Sequence, residues 1–320
     1  MSVAVLGAGA FGTALAISLA QKTNVLLWSH RLDHAEEMRR SGQNKARLPD
    51  HAFPQSLRVS SDLADVQTID TILIAVPMQN LRGFLETAAP ALASKRLVAC
   101  CKGIDLETGL DPVETLIEGV PDASASLLTG PSFAGDIAKG LPTALVLACM
   151  NADTGANLQS ALSTPSLRLY RTTDVIGASL GGALKNVVAI AAGAAIGAGL
   201  GESARAALMT RGFVEMQRFA LHRGARPETL GGLSGFGDLV LTCTSAQSRN
   251  YRLGLAIGQA QVFDPDITVE GAATALAVDA KARKEGLDMP ITSVVAALLE
   301  KQLDVSDAMK TLLARSLKEE

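Results

Sequence analysis

The sequence predicts an α/β chain in two parts: a doubly wound, mostly parallel sheet in the N-terminal part, followed by an all-α C-terminal part. Three observations predict it. Short apolar runs alternate with helix-like segments up to Asp174, the pattern of right-handed βαβ units on a parallel sheet. The first apolar run ends in a glycine-rich turn that opens a helix. Beyond Asp174 strand signals cease, and the chain turns rich in Ala, Leu and Gly at helical spacing. The reading gives two domains, 1–174 and 175–320, with no low-complexity linker between them. A packed junction of that kind is a frequent place for ligands.

Ser2 to Leu6 reads as a buried first strand, because it is apolar, short and stopped by Gly7. A helix follows from about Ala10 to Gln21, with Leu15 and Leu19 on one face. Further strands are expected at Asn24 to Trp28, Thr71 to Val76 (stopped by Pro77), Arg96 to Cys101, Ser126 to Thr129, Thr143 to Ala148 and Leu167 to Tyr170. Asp33 to Arg40 and Leu81 to Leu92 read as helices between them. In the C-terminal part, Ile176, Leu180, Leu184, Val187 and Val188 fall on one helical stripe. Ser306 is a candidate cap for a last helix carrying Met309, Leu312 and Leu313.

A chain of 320 residues can bury a large core, and with 48% hydrophobic but 3% aromatic residues that core must be mainly aliphatic. The formal net charge of -3 gives no support to a nucleic-acid or anionic-membrane surface, though it leaves room for a local basic pocket. No positive segment precedes an apolar run at the N-terminus, so no signal peptide is expected. The longest apolar stretch, Val187 to Leu200, is too short to span a bilayer, and extending it backward brings in Lys185 and Asn186. Cys100, Cys101, Cys149 and Cys243 show no metal or redox spacing and read as small buried hydrophobes kept reduced. The scattered His30, His34, His51 and His222 form no ligand set. A cytoplasmic location follows as the expectation.

Gly7-Ala8-Gly9-Ala10-Phe11-Gly12 is GxGxxG, placed after a strand and opening a helix. That context makes it a dinucleotide loop of a Rossmann-type domain. Gly7 permits the tight turn, Gly9 lets backbone approach the pyrophosphate, and Gly12 lets the helix pack on the sheet. The helix start offers amides and a positive dipole end to phosphate. At the end of the second strand, an NAD enzyme usually carries an acid for the ribose hydroxyls. Here the chain reads Trp28-Ser29-His30-Arg31, with no acid before Asp33. Arg31 suits a 2′-phosphate by a charge-assisted fork, which favours NADP over NAD, although a solvated loop arginine would look the same.

Lys102-Gly103 directly follows a strand, where ligands bind in such sheets, or is an ordinary surface lysine. Gly130-Pro131-Ser132 also follows a strand, and Ser132 is either a ligand contact or the cap of the next helix. Lys185-Asn186 lies inside an otherwise apolar helix. Burying an ammonium is costly unless it is paired, and partial burial moves a lysine from its ordinary pKa of about 10.4 towards values useful for proton transfer. The alternative is a lysine snorkelling at a helix edge. Asp238 marks a short helix start. Ser248-Arg249-Asn250 begins a helix that runs to Gln259, and Arg249 there combines a guanidinium with free amides, an anion site unless the three are merely a cap and solvated neighbours. Glu270 opens a further helix, which an acid does without functional reason.

In order and spacing, these segments resemble NAD(P)-dependent glycerol-3-phosphate dehydrogenase of the bacterial type. The matching pieces are GAGAFGTALA, AVP, CKG, TGPSFA, GLPTA, LGGALKNVVAIAAG, ARAALMTRG, GFGDLVLTCTSAQSRN, VEG and MPIT, spread from Val3 to about Leu313. The resemblance implies reduction of dihydroxyacetone phosphate to sn-glycerol 3-phosphate, feeding glycerophospholipid synthesis. It further implies Lys185 as the proton-transfer group. Lys102, Gly130, Ser132, Asp238, Thr242, Ser248, Arg249 and Asn250 match substrate contacts. Ala10, Phe11, Arg31, Ala134 and Glu270 match cofactor contacts beside the loop glycines, and Lys102 and Arg249 also lie on the cofactor side. A homodimer is implied as well. Ser203 stands where the family usually has Asn, which clouds that position. The nearest rival is a β-hydroxyacid dehydrogenase of related architecture, whose catalytic Lys and Asn are several residues apart rather than adjacent. A non-catalytic NADPH-binding sensor is a third reading, opposed by the joint retention of Lys102, Lys185 and Arg249.

Overall fold

The computed structural model describes residues 2–314; Met1 and residues 315–320, included in the expected domain ranges, lie outside the described residues. The chain divides into two compact units: Met1–Lys102 with Leu110–Ser179, and Gly103–Gly109 with Leu180–Glu320.

The first unit carries strands β1 (Ser2–Leu6), β2 (Asn24–Trp28), β3 (Gln43–Asn44), β4 (Leu48–Ala52), β5 (Leu57–Ser60), β6 (Thr71–Ile74), β7 (Arg96–Ala99), β8 (Ser124–Thr129), β9 (Thr143–Ala148) and β10 (Leu167–Thr172). Its helices are α1 (Ala10–Leu19), α2 (Leu32–Ser41), α3 (Met78–Leu92), α4 (Pro112–Gly119), α5 (Ala134–Ala138) and α6 (Ala152–Leu162). Eight strands form one sheet in the order β10-β9-β8-β7-β6-β1-β2-β5, and β3 and β4 form a small antiparallel pair. The order reverses beside β1, whose C-terminal end therefore sits at the switch point where such sheets bind ligands. β1 is buried along Val3 to Leu6, which explains why it reads as continuous apolar sequence.

The sheet is parallel except where β9 runs antiparallel to β8. The connection explains this. A five-residue helix such as α5 is about 7.5 Å long. A six-residue strand covers roughly 20 Å. The connection cannot carry the chain back along β8, so β9 starts near the end where β8 stops.

Several elements escaped the sequence reading. Edge strand β5 and helices α4 and α6 are among them. The signal for α4 was present: Asp111 accepts from Val113 N and Glu114 N, Glu114 returns a bond to the Asp111 amide, and Pro112 sits in the first turn. Neither candidate cap read from the sequence, Ser132 or Ser306, acts as one. The residue capping α5 is Phe133, not Ser132; the Ser132 hydroxyl instead donates to Gly130 O at 3.2 Å.

The second unit is helical. Helix α7 (Val175–Gly197) begins in the first unit and enters the second at Leu180; α8 (Gly201–His222), α9 (Pro227–Gly231), α10 (Asp238–Cys243), α11 (Arg249–Gly258), α12 (Glu270–Glu285), α13 (Pro290–Leu299) and α14 (Val305–Leu313) follow. A π-helical turn over Leu233–Gly237 leads into α10. The cap of α14 is Asp304, which accepts from Asp307 N at 2.8 Å, so Ser306 lies inside the helix.

At 23 residues α7 is longer than the apolar run suggested, and by length and composition it could cross a membrane. Its most apolar window is 94% buried inside the protein. Ile176 departs from the expected stripe and is 42% exposed, while Leu180, Leu184, Val187 and Val188 are buried.

Helices α7 and α11 touch backbone to backbone. A Cβ on Gly254 would overlap Ile190 O, and one on Gly258 would overlap Ala194 O. Asn250 meets Asn186 at the same separation of 64 residues. The two helices therefore run side by side in a constant register, one turn per contact. Only glycine permits so close an approach.

The second unit also caps helix α13 from outside. Met289, at its N-cap, offers no side-chain bond. Glu215 of α8 accepts from Ile291 N at 2.6 Å and from Thr292 N and Thr292 Oγ1 at 3.1 Å. Burial nonetheless pushes the Glu215 carboxyl above its ordinary range.

Candidate active site

In the first unit the loop Gly7–Gly12 behaves as its spacing predicts. Gly7 has φ of 115°, and a Cβ there would lie 2.7 Å from Ala75 O. A Cβ on Gly12 would overlap Gly7 O and press on Ala75 Cβ. Gly9 differs: nothing lies within 4 Å of its Cβ position, and as the N-cap of α1 it provides no side-chain bond. The first amides of α1 thus have no side-chain cap, and the space above Gly9 is open. This cradle fits the pyrophosphate of a dinucleotide. Ala10 and Phe11 open α1, and both pack on the core with Ala134, the first residue of α5.

Arg31 stands at the N-cap of α2 after the end of β2. Its guanidinium is engaged as a fork: Nε donates to Asp33 Oδ1 at 3.1 Å and a terminal nitrogen to Oδ2 at 2.5 Å. Asp33, fully exposed, is lowered to about 2, first by the hydrogen bond from Arg31. A 2′-phosphate would have to compete with that carboxylate.

At the ends of neighbouring strands β7 and β8, Lys102, Gly130 and Ser132 come together. Lys102 Nζ donates to Gly130 O at 3.1 Å, and Ser132 Oγ donates to the same oxygen. Half-buried and held to backbone, Lys102 is not the freely solvated lysine of the alternative reading.

In the second unit Lys185 is buried, its side chain 7% exposed. Its ammonium donates to Asp238 Oδ1 at 2.9 Å and to Thr242 Oγ1 at 2.5 Å. Thr242 Oγ1 donates in turn to Asp238 Oδ1 at 3.2 Å. Asp238 and Thr242 lie one turn apart on α10 and so share the face that meets Lys185. A lysine snorkelling at a helix edge is excluded by this burial. Each charge offsets the other's desolvation, and the hydroxyl takes part of the remaining hydrogen-bonding capacity. Cys243, next in the chain, is pushed up to about 12 by burial, and Cys100 is pushed up as well, so neither is a thiolate nucleophile. All four cysteines are buried and unbridged.

Asn186 is one residue on, about 100° around α7, and faces elsewhere. Its Oδ1 accepts from Asn250 Nδ2 at 2.8 Å, and Asn250 Oδ1 accepts from Gly271 N at 2.9 Å. Gly271 is needed there, since a Cβ would come within 2.5 Å of Asn250 Oδ1. This bridge ties α7, α11 and α12 together beside Lys185. No role for Asn186 or Gly271 was legible in the sequence; the hint was a second polar residue in an apolar helix. Ser248 caps α11 by accepting from Tyr251 N at 3.2 Å. Arg249 occupies the first helical position and is exposed. Glu270 begins α12, its carbonyl accepting from Thr274 Oγ1. Ser203 is exposed in the first turn of α8.

The chain matches two family models, "NAD-dependent glycerol-3-phosphate dehydrogenase N-terminus" over residues 2–155 and "NAD-dependent glycerol-3-phosphate dehydrogenase C-terminus" over residues 174–310. It is 64% identical to the glycerol-3-phosphate dehydrogenase [NAD(P)+] of Ruegeria sp. (strain TM1040), covering 100% of both chains. It is 54% identical to that of Cereibacter sphaeroides, over 99% of this chain and 100% of that one. Among solved structures, glycerol-3-phosphate dehydrogenase from Coxiella burnetii superposes with a TM-score of 0.92 at 38% identity, covering 98% of this chain and 99% of that one. A ketopantoate reductase from Ralstonia eutropha JMP134 shares the fold at a TM-score of 0.65 and 19% identity, covering 98% and 100% of the two chains.

Proposed function

The chain belongs to the NAD-dependent glycerol-3-phosphate dehydrogenase family, and from that premise we propose that it reduces dihydroxyacetone phosphate reversibly to sn-glycerol 3-phosphate with NAD(P)H. The observation that carries the mechanism is the buried Lys185–Asp238–Thr242 cluster. When bound, the nicotinamide supplies the hydride to C2 of the substrate. Lys185 stabilises the negative charge that develops on the C2 oxygen and donates the proton that completes the alcohol. In the reverse direction its amine takes the hydroxyl proton. Asp238 and Thr242 hold Nζ in place and balance its charge.

Arg249, with the first amides of α11 and Asn250, is assigned to the substrate phosphate, an anion site of guanidinium plus helix start. Binding the phosphate orients the small reacting end. Ser248 fixes where α11 begins. Lys102, Gly130 and Ser132 are assigned as further substrate contacts, as the resemblance implies. Gly7, Gly9, Ala10, Phe11, Gly12, Arg31, Lys102, Ala134, Arg249 and Glu270 are assigned to the cofactor, with NADP favoured through Arg31. We assign residues 1–174 to dinucleotide binding and 175–320 to substrate binding and catalysis, in a cytoplasmic homodimer whose product feeds glycerophospholipid synthesis.

The test is oxidation of NADPH and of NADH, followed by loss of the reduced-nicotinamide absorbance, with dihydroxyacetone phosphate and with unphosphorylated dihydroxyacetone. Rapid oxidation with the phosphate ester alone is expected. Turnover of β-hydroxyacids with no preference for a phosphate would replace this reading.

A further inference from the structure

One buried polar side chain beside the dinucleotide loop has no part in the reaction just described. Asn44, in β3, is 0% exposed. Its Nδ2 donates to Ala8 O at 3.0 Å and to Thr13 Oγ1 at 2.8 Å. Its Oδ1 accepts from Arg47 N at 3.2 Å and pairs with His34 Nε2 at 3.0 Å. All four hydrogen-bonding positions of the amide are therefore used. Flipping the amide would set its oxygen against the Ala8 carbonyl, acceptor against acceptor, so the orientation is fixed.

The same logic fixes His34. An amide oxygen only accepts, so His34 Nε2 carries the proton. His34 Nδ1 is hydrogen-bonded to Ser29 Oγ at 3.3 Å, and Ser29 Oγ accepts from Arg31 N at 3.4 Å. A chain of hydrogen bonds thus runs from the end of β2 through His34 and Asn44 to the loop.

Ala8 C=O and Gly9 N–H belong to one planar trans peptide and point in opposite directions. Drawing the carbonyl towards Asn44 turns the Gly9 amide the other way, away from Asn44. We infer that Asn44 is a positioning residue for the cofactor, clamping the Ala8–Gly9 peptide so that the Gly9 amide faces the pyrophosphate, with His34 holding the Asn44 amide in register. An apolar residue of similar size would fill the core without aiming that peptide. The inference rests on the reading of Gly7–Gly12 as the NAD(P)(H) loop.

The experiment measures NADPH and NADH dissociation constants, steady-state kinetics and apo-protein melting for wild type, Asn44→Asp, His34→Ala and His34→Gln. Asn44→Asp keeps the shape but places an acceptor against Ala8 O. It should weaken both cofactors by the same factor, about tenfold, equivalent to roughly 1.4 kcal/mol. Its kcat at saturating cofactor and its KM for dihydroxyacetone phosphate should stay within about twofold, the scale of a rate difference that leaves the chemical step intact. His34→Ala should weaken both cofactors less, and His34→Gln, which restores a donor near Nε2, should recover them. A folded Asn44→Asp variant with lower melting temperature but wild-type cofactor affinity would make Asn44 a core brace only and overturn the inference. Should that variant not fold, equal affinities of wild type, His34→Ala and His34→Gln overturn it instead. A wild-type protein that binds neither cofactor overturns the loop reading itself, a result distinct from either.

Discussion

The dinucleotide loop and the lysine cluster solve their problems with different parts of the chain. The loop is made of backbone: glycines that admit close approach, an uncapped helix start and an open space over Gly9. The cluster is made of side chains, with Lys185, Asp238 and Thr242 closed from solvent on two helices. A backbone cradle binds a phosphate that arrives with its own charge, so it needs donors and room. A proton donor has to be kept charged and aimed before substrate arrives, so it needs a buried counter-charge. Substitutions should therefore act differently in the two regions.

The sharpest separation comes from Lys185→Ala. Turnover should fall by roughly 10²- to 10⁴-fold, the range of a lost general acid, with NADPH affinity largely kept. Near-normal kcat would remove Lys185 from proton transfer. Asp238→Ala comes next and should act on folding as well as on rate. It leaves a buried ammonium without its carboxylate, which costs about 3–5 kcal/mol. Thermal melting checks this; a variant as stable as wild type would mean the pair is not buried in solution. Arg249→Ala should raise the KM for dihydroxyacetone phosphate by about 10- to 100-fold, the equivalent of a charged hydrogen bond of roughly 1.5–3 kcal/mol. An unchanged KM would take the phosphate away from α11.

Two smaller effects refine the contrast. Burial raises the Glu215 carboxyl, so in the fold it binds its proton over a pH range where the unfolded chain has released it. Its contribution to stability is therefore present below the ordinary carboxylate range and declines as pH rises through the raised value. Glu215→Gln keeps an acceptor for the α13 amides and should remove that slope. Melting curves of the two proteins from acid to neutral pH should converge at the acid end and separate above it; parallel curves would contradict the raised value. Smallest is Arg31→Ala, at an exposed position. The ratio of NADPH to NADH affinity should drop by about fivefold at most, because exposed ion pairs are weak. No change would leave NADP preference to other residues.

The same contrast explains what could be read from sequence. The loop was legible because its function depends on the spacing of glycines within six residues and on local context. The strands β1, β2 and β9 were legible to the residue, being apolar and bounded by turn chemistry. Edge strand β5 was not, because its Leu57-Arg58-Val59-Ser60 is too short and mixed to stand out. Lys185 stood out as a charge in an apolar helix, but its partners lie more than 50 residues away and only packing brings them to it. Asn44 was invisible for a related reason. Nothing distinguishes a polar residue in Gly42-Gln43-Asn44-Lys45 from a loop until the fold buries it. Ser132 was ambiguous because a serine before a helix suits a cap as well as a ligand contact, and only the fold shows its hydroxyl turned to Gly130.

The glycine-lined register of α7 and α11 also divides the chain into segments that tolerate changes of length and segments that do not. Adding one residue between Asn250 and Gly254 would turn Arg249 by about 100° and shift it by about 1.5 Å along the helix. No side-chain rotamer restores both. The stretch 259–269 is mostly exposed and joins α11 to α12 without a regular element. It is the place where insertions of several residues should leave turnover intact. A scan of single-residue insertions along 249–269 would thus be expected to switch from inactive to active close to Gly258, and the position of that switch would mark where the helix pair ceases to act as a ruler.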